Sequence, residues 1–168
     1  MEQIRETFIE WLRDAHAAEK QALTILNGQA GRIENYPELQ QRIRQHVTET
    51  EQQVALLDDL LARYGESGSL VKDAAGRMVA LGQNLSGMIA SDEIVKGALF
   101  SYAFEQMEIA SYRILISTAE TLGDAQAVAV LRQILSQEEQ MAAWLLDHIP
   151  GVLHSFFQRL EAGETAKR

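Results

Sequence analysis

Residues 102–124, YAFEQMEIASYRILISTAETLGD, carry the reading on which the fold turns. Positions three, four and seven apart share one face of a helix. Around Glu108 those positions hold Ser101, Phe104, Glu105, Ser111, Tyr112 and Leu115, so a carboxylate lies within an inward stripe. Gly123 supplies the residue that ends a helix, and Asp124 an N-cap oxygen for the next. That next helix should reach about residue 149, before Pro150 and Gly151. It sets Glu138 among Leu131, Ile134, Leu135, Met141, Ala142 and Leu145. Glu108 precedes Gly123 by fifteen residues and Glu138 follows it by fifteen, so a hairpin folded there brings the two carboxylates level.

The N-terminal part of the chain repeats the pattern. A helix over 4–30 presents Phe8, Leu12, Ala15, Leu23 and Leu26 at helical spacing. Pro37 suits a first helical position, where its missing N–H costs nothing. The second helix then runs over 37–64 on Leu39, Ile43, Val47, Val54, Leu57 and Leu61, with Gly65 as its stop. Glu19 sits among Leu12, Ala15, His16, Ala22, Leu23 and Leu26. Glu49 lies nearer its stripe's border, beside His46, Gln53, Leu56 and Leu60. Glu19 lies twelve residues before Gly31 and Glu49 twelve after Pro37, so this hairpin too carries a level pair.

Between the hairpins, residues 70–90 carry Gly76, Gly82 and Gly87 and read as a shorter or broken helix; Ser91 and Asp92 then cap the third long helix. About 20 helical residues at ~1.5 Å each return the chain along the bundle. The expected fold is therefore all-α, a four-helix bundle of ferritin-like connectivity with a long helical crossover between helices two and three. An up-and-down bundle with an extra helix is the alternative. A short C-terminal helix over 152–160 offers Phe156 and Phe157 for docking, and the tail 161–168 reads as frayed. The division is a bundle over 1–149 and a C-terminal amphipathic segment over 150–168.

Composition narrows the function. The 168 residues are 46% hydrophobic and contain no cysteine, which removes disulfides, thiolate metal sites and cysteine nucleophiles. Lys and Arg number 15 against 24 Asp and Glu, a net charge of −9 that repels nucleic acid. No apolar run is long enough to span a bilayer, and the charged N-terminus is unlike a signal peptide. A cytoplasmic protein with neither nucleic-acid nor membrane partners is expected.

Four ionised carboxylates in one dry core cost several kcal/mol each unless they are neutralised. No lysine or arginine is expected on these stripes at that height. Two divalent metal ions would balance the charge, iron or manganese by the chemistry of carboxylate and imidazole ligands, with zinc also compatible. Protons shared among neutral carboxyls are the metal-free route. Glu19, Glu49, Glu108 and Glu138 are the principal ligand candidates. His16, His46 and Glu105, each one turn before one of them, are additional ones. Tyr112 and Gln53 can hydrogen-bond a ligating carboxylate, whereas Glu139, His148 and His154 lie off the site.

The strings LRDAHAAEKQAL, HVTETEQQ, YAFEQMEIASYRILISTAETLGD and LSQEEQMAAWL resemble the YciE/YciF-like family of ferritin-like bacterial stress proteins over residues 4–149. The resemblance implies a ferritin-like domain, a bacterial cytoplasmic setting, an association with stress responses, a homodimer and no assigned reaction. The wider ferritin-like group uses Glu-x-x-His on two of its metal helices. Gln52 and Met141 occupy the two histidine places here, Glu105-x-x-Glu108 looks like a doubled carboxylate, and His16 or His46 is left to supply nitrogen. The functions to be separated are a dinuclear metal protein handling metal, oxygen or peroxide, a non-enzymatic stress-protective or partner-binding bundle with a vestigial site, and a mineral-storing cage subunit.

Overall fold

The structure, a computed structural model, describes residues 1–66 and 91–167. Within them the chain forms α1 (Glu2–Arg32), α2 (Pro37–Arg63), α3 (Glu93–Leu122) and α4 (Ala125–Glu161), with no strand among the described residues. Pro37 takes the first position of α2. Gly123 adopts the left-handed conformation at φ 72° and ends α3, and the Asp124 side chain accepts from the Ala127 N–H at 2.9 Å.

Two apolar clusters fix the direction of every helix. One joins the start of α1 (Phe8, Leu12), the end of α2 (Leu57, Leu61), the end of α3 (Leu115, Ala119) and the start of α4 (Ala127, Leu131). The other joins the end of α1 (Leu26, Ala30), the start of α2 (Leu39, Ile43), the start of α3 (Ile94) and the later part of α4 (Leu145, Val152). Helices α2 and α3 therefore run the same way, and α1 and α4 the opposite way. In sequence order that is down, up, up, down, with α2 ending and α3 beginning at opposite ends of the bundle. This is the ferritin-like four-helix topology, not an up-and-down bundle. The expected helix over 70–90 lies outside the described residues.

The C-terminal part differs from expectation in two respects. Pro150 does not end the fourth helix, which continues as one element to Glu161. Proline withholds its N–H from the ladder and crowds the carbonyl four residues back, but beyond it Val152 and Phe156 bury themselves in the second cluster, which holds the helix on course. Nor is the tail frayed. Tyr36 Oη donates to the Ala166 carbonyl at 2.7 Å, Arg159 Nε to that of Thr165 at 2.7 Å, and the Ile94 N–H to that of Lys167 at 3.1 Å. Helices α3 and α4 and the α1–α2 connection thus anchor it.

Candidate metal centre

Between the two apolar clusters lies a polar layer to which all four helices contribute. His16 and Glu19 come from α1, His46, Thr50 and Gln53 from α2, Glu105 and Glu108 from α3, and Glu138 from α4; each is buried. The layer exists because helical spacing places these side chains inward at one height, and the apolar clusters above and below keep water out.

At its centre His46, Glu105 and Glu138 bring ligand atoms within 4.8 Å of one another, a group able to hold a metal ion. His46 Nε2 lies 3.3 Å from Glu105 Oε2 and 3.5 Å from Glu138 Oε2. Its other nitrogen, Nδ1, donates to Glu49 Oε2 at 2.9 Å. Glu49 in turn accepts from Arg42 at 3.1 Å and Gln45 at 2.8 Å. A carboxylate on Nδ1 orients the ring and leaves Nε2 aimed at its partners, the arrangement that metal-binding histidines use. Burial disfavours charge on His46, but the carboxylates of Glu105 and Glu49 outweigh it and raise the imidazole to about 9. Burial would likewise raise Glu49, yet His46 and Arg42 together hold it down at about 2.

Glu19 and Glu108 complete the layer. Tyr112 Oη donates to Glu19, and Gln53 donates to Glu138. Burial lifts Glu19 to about 7 against the Tyr112 hydrogen bond. Burial, reinforced by the charges of Glu19, Glu138 and Glu105, lifts Glu108 well above the ordinary carboxylate range. Glu138 is pushed up for the same reasons, burial first and then the charges of Glu19 and Glu105. Buried Glu19 Oε2, Glu105 Oε2, Glu108 Oε1 and Glu138 Oε2 accept no hydrogen bond. Unsatisfied buried oxygens are uncommon and costly. Two of them, Glu105 Oε2 and Glu138 Oε2, face His46 Nε2, and unpartnered oxygens beside an imidazole nitrogen fit divalent cations, which take oxygen and nitrogen donors and cancel the repulsion.

The candidate residues divide accordingly. His46, Glu105 and Glu138 come together directly, and Glu19, bonded by Tyr112, and Glu108 lie in the same buried layer, near enough for their charges to bear on one another and on Glu105. Glu49 stands at the rim as the partner of His46 Nδ1, with its side chain 18% exposed. His16 turns instead to α2, where its Nε2 lies 2.9 Å from the half-exposed Asp58. The expectation that no basic side chain reaches this height fails at Arg42, whose side chain is only 10% exposed against Glu49. Arg42 precedes Glu49 by two turns on the same face, a spacing that could have revealed it. Gln45 and Gln137 are further polar neighbours not singled out from the sequence, Gln137 accepting from Gln53 at 3.0 Å. Glu139 is paired with Arg113 on the exposed exterior, and His148 stacks on Trp144, as expected of residues off the site.

Fold and layer together define a ferritin-like helical bundle with an interior of carboxylates and one convergent imidazole. Residues 3–158 match the domain of unknown function DUF892, and the chain belongs to that family. It is 32% identical to protein YciF of Escherichia coli (strain K12) over 155 residues, covering 88% of this chain and 90% of that one. Among solved structures, a protein from Xanthomonas campestris pv. campestris superposes with a TM-score of 0.78 at 38% identity, over 95% of this chain and 99% of that one. The E. coli stress protein YciF superposes with a TM-score of 0.70 at 25% identity in that alignment, over 89% and 96%. No helix among the described residues is long and apolar enough to cross a membrane.

Proposed function

We propose that this protein is a dinuclear metal-binding member of its family that serves the bacterial stress response by handling iron or manganese, or by reducing peroxide or oxygen. The observation that carries the reading is a buried layer with four carboxylate oxygens without donors, two of which, on Glu105 and Glu138, converge on His46 Nε2. His46, Glu105 and Glu138 would hold one ion, and Glu19 and Glu108 would add the oxygens of a second. Oxygen donors with a single imidazole favour iron or manganese, while zinc also fits the donor set. Bound there, the metals would supply redox chemistry in a site from which water is excluded. The chain's own part is to orient His46 through Glu49, to hold Glu19 through Tyr112, and to screen the layer between two apolar clusters. The stress role follows the name given to YciF, and a cytoplasmic homodimer is proposed with it.

Expression in medium defined in iron or manganese, followed by elemental analysis, tests this reading. About two ions per chain are expected, falling sharply in Glu105→Ala and Glu138→Ala. Substoichiometric metal in the parent, unchanged in those variants, overturns it. A second reading, a non-enzymatic stress-protective bundle with a vestigial site, is favoured by Glu49, which is occupied by Arg42 and Gln45 at the rim. Equal peroxide consumption by the parent and by a variant lacking Glu19, Glu105, Glu108 and Glu138 would select it.

A further inference from the structure

Two small cavities lie on the α1–α3 side of the bundle and share Ser101. The outer one, about 50 Å³, sits at the end of the bundle where α1 finishes and α2 and α3 begin. Its walls are apolar at Ile33, Ile94 and Ala98 and charged at Arg32, Glu93 and Lys167, and on its surface Ser101 Oγ donates to Gln29 Oε1 at 3.2 Å. The inner one, about 10 Å³, is a slot lined by Ala22, Ile25, Phe100 and Phe104, with both Ser101 and Glu105 on its surface. Glu105 belongs to the polar layer, and its Oε2 accepts no hydrogen bond. Ser101 thus stands between the outer cavity and a slot that reaches a carboxylate of the candidate centre.

We propose that these two cavities form the way in for a small uncharged molecule of two oxygen atoms, dioxygen or hydrogen peroxide, with Ser101 as the constriction. The inference rests on the metal-centre reading and adds the route and the residues that select what uses it. Charge is refused in the slot, whose walls are apolar apart from Ser101 and Glu105, because taking an ion out of water into such a passage costs several kcal/mol. At the rim Arg32 pairs with Glu93 at 2.8 Å and Lys167 approaches the same carboxylate at 3.7 Å, so the charges there are committed to one another. Size is set by the cavity: about 50 Å³ admits a diatomic molecule but not a ring compound, since a dry cavity of roughly 150 Å³ is what holds benzene. The hydroxyl of Ser101 and the amide of Gln29 offer hydrogen bonds that peroxide can use and dioxygen passes without.

The test has a readout independent of metal. Crystals of metal-free protein pressurised with xenon, an uncharged atom of suitable size, should show anomalous density in the outer cavity. Ser101→Val narrows the shared position, and Phe104→Ala widens the slot. In protein loaded with ferrous iron, oxidation should slow by about tenfold in the first, the scale on which an added methyl group discriminates in a fitted pocket, and should quicken in the second, with iron content unchanged in both. Mixing anaerobic protein with peroxide in one arm and with oxygenated buffer in the other identifies which molecule uses the route. No xenon in the cavity, or oxidation at the parent rate in both variants, overturns the route while leaving the metal centre standing. A parent that takes up no ferrous iron overturns the metal centre, and the route falls with it.

Discussion

Replacing Glu19 by Gln separates the cost of the buried carboxylates from their use. An ordinary glutamate ionises near 4.5, whereas burial moves Glu19 to about 7 even with Tyr112 donating to it. At ~1.4 kcal/mol per pH unit, that displacement costs the metal-free fold ~3 kcal/mol at neutral pH. The sign follows from proton binding. Between the two values the folded chain holds a proton that the unfolded chain has released, so stability is greatest below about 4.5 and declines as the pH climbs through 7. Glutamine keeps the shape and still accepts from Tyr112. Its amide carries no charge, so burial and the charges of Glu105 and Glu108 no longer act on an ionisation there. In chelator at neutral pH, Glu19→Gln should therefore be the more stable protein by ~3 kcal/mol, or ~6–12 °C for a chain of this size, with the gap closing toward pH 4.5.

Metal should shrink or reverse that order. A cation present at about 100 times its dissociation constant adds ~2.7 kcal/mol to a fold that binds it, and the parent should gain more than the variant. Urea and thermal unfolding across pH, in chelator and then with ferrous iron or manganese, measure both effects. Three results would refute the reasoning: a variant less stable than the parent in chelator at neutral pH, a gap that ignores pH, or an equal gain from metal in both proteins.

Asp124→Ala should destabilise the chain by about 1–2 kcal/mol in urea unfolding, because Asp124 caps α4 and accepts from Tyr64 Oη at 2.5 Å. Burial is the largest single influence and favours its neutral form, but Tyr64, the Ala127 N–H and Arg63 together outweigh it and hold its carboxyl below the ordinary 3.8, so this contribution is present above 3.8 and is lost as the pH falls through the lower folded value. Tyr36→Phe should cost ~1 kcal/mol and expose the tail, seen as faster proteolytic removal of its last residues, since the lost bond is the one to the Ala166 carbonyl. Pro150→Ala should restore a ladder bond within α4 and raise stability by up to about 3 kcal/mol in the same unfolding assay; a loss would mean that the neighbouring packing depends on the proline ring.

The fold was legible because its signals are periodic and local. The Gly123 stop, the Asp124 cap and the Pro37 start all fall where backbone chemistry requires them. Level placement of Glu108 and Glu138 needed only counting from a turn. What spacing along one helix cannot supply is the reach of a side chain into its neighbours, and the two histidines make the point. His16 and His46 hold the same position, three residues before a glutamate, and both are buried. Their fates are set by the helix opposite. His46 meets Glu105 of α3 and Glu138 of α4, while His16 meets Asp58 of α2 at the bundle's edge. The same logic relocates Glu49. A border position lets Arg42 arrive along its flexible stem from two turns away, and a carboxylate already bonded to Arg42, Gln45 and His46 serves better to aim an imidazole than to compete with it for an ion. The departure from the Glu-x-x-His pattern is thus compensated across helices. In the proposed centre the nitrogen donor would come from three residues before the α2 glutamate instead of three after, and Glu105, one turn before Glu108, presents an oxygen that faces it at 3.3 Å.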